Sequence, residues 1–402
     1  MGLELLFLLL PLAAVSGWII GRRGENRRQQ QACQEMTAGY FKGLNYLLND
    51  EEDKAIMQFL ALSESNEDAL DIHFALANLF KRRGEVDRAI RIHDTLLQRP
   101  AIDARSFQRA QLELALDYLK AGLFDRAESL LLEVHQQPEF RQRTHQHLLK
   151  IYQQEREWSK AIAIATPLLE ELPQGRIPLA HYHCEQALVA LHAAANGEAQ
   201  QQLRCALEVD PASVRATLLQ GEMLLQRGDA AAAISVYQRV ERQDAALLSE
   251  IISPLKRCYE LIEEEAEMAT YLEGLLQRYA SHTLAIAIAR GRYSPSVQSR
   301  IQQLLERFLL HNPSLHSLLF LMESWFDPTQ SPSPQEAAQR PFSCEEKVRQ
   351  LQRVANQLWD GSNIYLCHHC GFQAKNLYWL CPGCKQWSTI KPQLSICGSW
   401  NR

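Results

Sequence analysis

Small and apolar residues return along most of this chain at a spacing that paired helices produce. Six alanines, Ala55, Ala89, Ala127, Ala161, Ala199 and Ala233, with Met268 in a degenerate seventh copy, recur at steps alternating near 34 and 38 residues. Other positions fall into phase around each anchor: a small residue about twelve earlier, an aromatic or Leu about nine earlier, and often an apolar residue four later. The first copy supplies Gly43, Tyr46, Ala55 and Phe59, the second Ala77, Phe80, Gly84 and Ala89, and the third Ala115, Tyr118, Gly122 and Ala127. The fourth gives Tyr152, Ala161, Leu168 and Pro173, with Leu149 where a small residue is expected, and the sixth gives Gly221, Leu224, Gly228, Ala233 and Tyr237. Copies five and seven follow the pattern more loosely. Small side chains mark where the two helices of a hairpin cross closely, and bulky ones fill the groove beside the crossing. A phase held for roughly 230 residues predicts stacked hairpins rather than an irregular bundle.

This is the tetratricopeptide pattern, and it predicts an all-α superhelix over residues 36–326 whose concave side offers an extended surface to a protein or peptide. Residues Ser294 to Glu323 keep helical periodicity but fit the template poorly, as expected of a terminal capping pair. A chain of 402 residues is too long for one compact core, whereas an array grows without deepening its interior. The net charge of −5 supplies no global basic field, so no nucleic-acid partner is expected.

The first residues differ from everything that follows. Leu3 to Ile20 is almost wholly apolar, with Glu4 at its edge, Pro11 inside it and Trp18 at an interfacial position. At 1.5 Å of rise per residue it reaches roughly 27 Å, enough to cross a thin bilayer. A cleaved secretory signal would carry positive charge before the apolar run, but here Arg22, Arg23, Arg27 and Arg28 follow it. Residues 1–21 are therefore expected to form a transmembrane anchor and 22–35 a juxtamembrane segment. The positive-inside bias places the bulk of the chain in the cytoplasm.

Near the other end, Cys367-His-His-Cys370 and Cys381-Pro-Gly-Cys384 form two knuckles separated by ten residues. Four thiolates so spaced can close a tetrahedron on one metal ion and leave no position open for substrate, so the ion should be structural. A reducing compartment argues against disulfides. Zinc is the default; iron on the same thiolates would make the module an electron carrier that uses the repeats as a docking platform. Gly371 and Gly383 suit the left-handed turns of such knuckles, and Pro382 stiffens the second. His368 and His369 are expected at exposed knuckle tips. Tyr378, Trp379 and Trp387 are expected to pack the ribbon, residues 362–402, onto the repeats, with a base-stacking platform as the competing use. Before the ribbon, Asp327 to Pro341 reads as a Ser/Pro-rich link over 327–342. Ser343 and Glu346 then form a capping box that opens a docking helix over 343–361. Cys33, Cys184, Cys205, Cys258, Cys344 and Cys397 lack ligand spacing and are expected as buried small hydrophobes.

No phosphate-binding loop, His-Glu-x-x-His, nucleophile elbow or paired carboxylates in a recognisable context appear, so a non-enzyme is expected. The acidic run Glu263, Glu264, Glu265 and Glu267 reads as a solvated helix face or turn edge.

Three stretches together resemble the lipopolysaccharide assembly protein B family. They are the anchor followed by Gly21-Arg22-Arg23, the repeat running from Gly84 to His93, and the ribbon from Cys367-x-x-Cys370-Gly371-Phe372 to Trp387-Ser388-Thr389-Ile390-Lys391-Pro392. The resemblance implies a protein of the Gram-negative inner membrane facing the cytoplasm, with repeats and a rubredoxin-like zinc ribbon packed together. It implies an adaptor that promotes degradation, by an FtsH-type AAA+ membrane protease, of the deacetylase committing precursor to lipid A. It further implies contact with a second inner-membrane regulator, and Cys367, Cys370, Cys381 and Cys384 as the metal ligands.

Overall fold

The computed structural model describes residues 37–49, 51–65, 70–99, 102–169, 173–279, 281–291, 293–311 and 365–392. The expected anchor, juxtamembrane segment, link and docking helix lie outside these residues, as do Cys33, Cys344 and Cys397. Among the described residues no helix is long and apolar enough to cross a membrane.

The chain divides into two compact units at Glu155 and Arg156. In the first, α1 (37–48) and α2 (Glu52–Ser65) are followed by α3 (Leu70–Arg83) with α4 (Val86–Leu97), α5 (Ala104–Lys120) with α6 (Phe124–His135), and α7 (Arg141–Glu155). The anchors Ala55, Ala89 and Ala127 are fully buried at the crossings. Ala is the largest residue that leaves the backbones this close while adding no side-chain entropy cost.

Side-chain size is balanced across each crossing. Where the small slot is Gly43, the partner sixteen residues on is Phe59, and a Cβ added at Gly43 would fall 2.7 Å from its ring. Where the slot is Ala77 or Ala115, the residue sixteen on shrinks to His93 or Leu131. His93 is a polar ring in an apolar slot, and burial obliges it to find a partner. Its Nδ1 lies 2.6 Å from Asp117 Oδ2, both side chains fully buried, while Lys81 Nζ lies 3.0 Å from Asp117 Oδ1 and donates to Glu113 at 3.0 Å. This buried network ties α3, α4 and α5 together.

The second unit contains α8 (Trp158–Ala165), α9 (Arg176–His192), α10 (Asn196–Val209), α11 (Val214–Gln226), α12 (Ala230–Tyr237), α13 (Val240–Gln243), α14 (Leu248–Leu261), α15 (Glu265–Tyr279), α16 (His282–Ala289) and α17 (Pro295–His311). Ala161, Ala199, Ala233 and Met268 are buried as the pattern expects. Gly221 repeats the logic of Gly43, since a Cβ there would meet the Tyr237 ring at 2.5 Å. From Tyr237 a continuous core runs through Ile251, Leu255, Leu272, Leu275 and Ile288.

A left-handed residue sits five positions before the anchor in copies two to seven. It is Gly84, Gly122 and Gly228 in three of them, at φ +84°, +78° and +82°, but Arg156, Ala194 and Glu263 in the others, at φ +59°, +57° and +58°. At the turns of Gly84, Gly122, Ala194, Gly228 and Glu263 the following N–H bonds back to the first helix, as Glu85 N–H does to the Phe80 carbonyl at 2.9 Å and Ala195 N–H to the Ala190 carbonyl at 2.9 Å. The hairpin imposes this conformation even where the residue disfavours it.

Also in the second unit, a ribbon of three short antiparallel strands, β1 (Tyr365–Cys367), β2 (Gln373–Ala374) and β3 (Ile390–Pro392), has the order β2-β1-β3. Tyr365 stands opposite Ala374 on one side and Pro392 on the other.

Candidate metal centre

Each knuckle turns by the same backbone device. Gly371 N–H donates to the Cys367 carbonyl and Lys385 N–H to the Cys381 carbonyl, both at 2.9 Å, while Cys367 N–H reaches the Phe372 carbonyl at 2.8 Å and Cys381 N–H the Gln386 carbonyl at 2.9 Å. The left-handed residues are Gly371, at φ +76°, and Lys385, at φ +56°. This corrects the expectation for Gly383, which is not left-handed. Its lack of a side chain serves proximity instead: a Cβ there would lie 3.3 Å from Cys370 Sγ and 3.8 Å from Cys381 Sγ.

The turns bring Cys367, Cys370, Cys381 and Cys384 together, with all four sulfurs within 4.8 Å of one another. Cys367 and Cys384 Sγ are 3.8 Å apart, and Cys370 and Cys381 Sγ 3.7 Å. A tetrahedron built on metal–sulfur bonds of ~2.3 Å has edges near ~3.8 Å, whereas a disulfide needs ~2.05 Å. The donor set thus fits one four-coordinate ion. Burial pushes the Cys367 thiol up, but the Thr389 hydroxyl 3.3 Å away and the N–H groups of Cys370 and His369 outweigh it and bring it down to about 6. Phe372 N–H pulls Cys370 down, yet burial and the other three thiols push it up to about 11. Four thiols this close cannot all ionise without a cation among them. Cys367 and Cys381 are buried and Cys370 is exposed, so one edge of the cluster faces solvent.

The ribbon's own core is Cys367, Cys381 and Ile390 with a few half-buried neighbours, too little to stand alone. Its remaining support comes from the helices. Trp387 stacks on His181 of α9, with ring centroids 4.5 Å apart and planes 15° from parallel, and presents an edge to Tyr182. His181 Nε2 lies 2.6 Å from Ser388 Oγ, Tyr365 donates to Glu250 of α14 at 2.8 Å, and Lys391 pairs with Asp244. Burial, with the Arg215 guanidinium nearby, holds His181 down at about 3, so it is neutral here.

Trp379 and Leu377 also pack on the helical core, whereas Tyr378 stays 45% exposed and takes no part in the seat. His368 and His369 are exposed at the knuckle tip, as expected. Cys184 and Cys258 are buried, but Cys205 is half-exposed, contrary to expectation, because it falls on the outer side of α10. Sequence reasoning missed His181, Arg215, Asp244 and Glu250. Their signal is weak: His181 and Arg215 are polar interruptions in helical stretches that are otherwise buried.

Residues 365–392 match the family model described as the rubredoxin metal binding domain, and residues 72–105 and 184–246 match tetratricopeptide repeat models. Lipopolysaccharide assembly protein B of Escherichia coli strain K12 is 34% identical over 391 residues, covering 97% of this chain and 98% of that protein. The chain belongs to the lipopolysaccharide assembly protein B family. A second member of the family, from Haemophilus influenzae, is 33% identical over 399 residues, again covering 97% of this chain and 98% of its own length. Among solved structures, a tetratricopeptide repeat protein from Parabacteroides merdae aligns at 12% identity and a TM-score of 0.33, covering 68% of this chain and 99% of its own, a likeness too loose to inform function. The family's ribbon and the four-cysteine cluster together suggest one structural metal ion.

Proposed function

We propose that this protein is a non-enzymatic adaptor that regulates lipopolysaccharide synthesis from the cytoplasmic face of the inner membrane. In this reading residues 1–21 anchor it and the repeats hold its partners. It presents the deacetylase that commits precursor to lipid A to an FtsH-type membrane protease, while a second inner-membrane regulator restrains it. The observation that carries the reading is the near end-to-end match to lipopolysaccharide assembly protein B, at 34% identity over 97% of the chain. Tethering to the membrane raises the effective concentration of the adaptor toward membrane-bound partners. The decisive experiment is depletion followed by a chase of the deacetylase: its half-life should lengthen several-fold, and an unchanged half-life refutes the adaptor reading.

Cys367, Cys370, Cys381 and Cys384 hold one metal ion, zinc in preference to iron, as a structural brace. When bound, the ion supplies positive charge to four thiolates and cross-links the two knuckles. Thr389 and the knuckle amides hold Cys367 as thiolate, and Trp387 with Tyr365 presses the ribbon to the helices. The competing use of the same thiolates, electron transfer on iron, separates cheaply: an iron tetrathiolate is coloured and zinc is not.

A further inference from the structure

The four sulfurs of the metal centre differ in access. Cys367 and Cys381 are 1% and 0% exposed, Cys384 is half-buried, and Cys370 is exposed. The two glycines beside Cys370 leave its sulfur open. A Cβ at Gly383 would lie 3.3 Å from Cys370 Sγ, so the second knuckle meets this sulfur with hydrogen only, and a Cβ at Gly371 would stand in open space. Cys367 Sγ, by contrast, has Thr389 Oγ1 against it at 3.3 Å.

Thiolates are nucleophiles, and which of several meets a soluble oxidant first is decided by access. Cys370 is the point of entry. The step after that is decided by distance. Cys381 Sγ lies 3.7 Å from Cys370 Sγ, in the other knuckle and out of reach of solvent. A closure of about 1.7 Å joins the two sulfurs. The consequences reach beyond the pair, because Cys367 and Cys381 are also two of the three buried residues of the ribbon's own core. Trp387, which seats the ribbon on His181, follows Cys384 by only three residues.

We propose, on the reading of these four cysteines as ligands of one zinc ion, that Cys370 is a peroxide-sensitive modification site resolved by Cys381, through which oxidation unseats the ribbon. The Cys370 thiolate attacks one oxygen of hydrogen peroxide: the S–O bond forms, the O–O bond breaks and hydroxide leaves. The Cys381 thiolate then attacks the sulfenic sulfur, the S–S bond forms and a second hydroxide leaves. Two thiolates have given up two electrons to the peroxide, and protons from the buffer turn both hydroxides to water. Cys367 and Cys384 alone supply too few thiolates to complete a tetrahedral site.

The intact protein carrying one zinc ion per chain, treated with graded hydrogen peroxide, tests this. A chain that binds no metal refutes the ligand reading and the proposal with it; every other outcome bears on the proposal alone. With dimedone present, the first adduct is expected on Cys370. Without it, peptide mapping should find Cys370 joined to Cys381, with one zinc ion freed per disulfide as read by a chromogenic chelator. Hydrogen exchange around Ser388 should then quicken several-fold, and a thiol reductant with added zinc should restore the slow rate. Cys205, half-exposed on α10, is the internal comparison. A first adduct on Cys384, a disulfide between Cys367 and Cys370 instead, zinc retained after the disulfide forms, or a centre still reduced once Cys205 is oxidised overturns the proposal. None of these measurements involves a protease or client, so their failure leaves the adaptor reading standing.

Discussion

The helical hairpins and the ribbon are held by opposite means. A hairpin spreads its stability over many interchangeable contacts: buried alanines at the crossings, bulky partners beside them, and the same face offered again by the next copy. The ribbon concentrates its stability in four sulfurs and a handful of contacts with α9 and α14. Damage to a hairpin should therefore be graded and local, whereas damage to the ribbon should be all or none.

The largest effect is expected at the sulfurs. Structural ions in modules of this size contribute about 10–16 kcal/mol of binding free energy at neutral pH, and that binding is coupled to folding. Cys381→Ser, or removal of metal with a strong chelator, should unfold residues 365–392 and leave the helices intact. Amide spectra should lose the ribbon signals while far-ultraviolet circular dichroism stays nearly constant; a folded metal-free ribbon would break the contrast.

The seat comes next. Trp387→Ala removes a buried aromatic and should cost about 3–5 kcal/mol. The ribbon should still take up metal but exchange its amides much faster, and unchanged protection would show the seat to be dispensable.

Acid should act at the same place. His181 is lowered from 6.5 to about 3, so the unfolded chain binds its proton first. The seat is at full strength above pH 6.5 and weakens progressively as pH falls from there toward 3. Protonation would set a second cation beside Arg215. The protection factor at Ser388, corrected for the intrinsic pH dependence of exchange, should fall between pH 7 and 5.5, and His181→Gln should flatten the response.

Smaller effects belong to the hairpins. Gly221→Ala pushes a methyl group against the Tyr237 ring, for which overpacking costs of about 1–3 kcal/mol are usual. The melting temperature should fall, and Gly221→Ala combined with Tyr237→Leu should recover part of the loss.

Smallest is a gain. Ala194 occupies a left-handed turn that glycine fills in three other copies, so Ala194→Gly should stabilise by about 0.5–1 kcal/mol, the penalty for Ala there exceeding the entropy cost of Gly. Denaturant midpoints measure it, and a loss of stability would mean that the turn is not under strain.

The repeat register was legible because a crossing of fixed geometry demands a small residue at a fixed place, and the four cysteines because a metal tetrahedron demands four thiolates in two tight turns. Even the misfit at Leu149 has its counterpart in the sequence, since the residue sixteen on is Ala165, the inverse of Gly43 with Phe59. Gly383 was misread because spacing shows where a glycine falls but not whether it is needed for a positive φ or for close approach to sulfur. His93 was legible as an apolar slot but not as one end of a buried network, because Asp117 and Lys81 come from two other helices.

What the sequence determined alone is the local grammar: helices paired at the anchor alanines, a two-knuckle ribbon, and the family to which both belong. These follow from interactions between residues a few turns apart, whose spacing the chain itself sets. That the ribbon packs on the repeats was expected from its tryptophans; only the tertiary structure decided that Tyr378 stays out of the seam and that His181, Arg215, Asp244 and Glu250 build its helical side. Ser388 meets His181 across 207 positions, and no periodicity links residues so distant; burial and hydrogen bonding select them after the chain has folded.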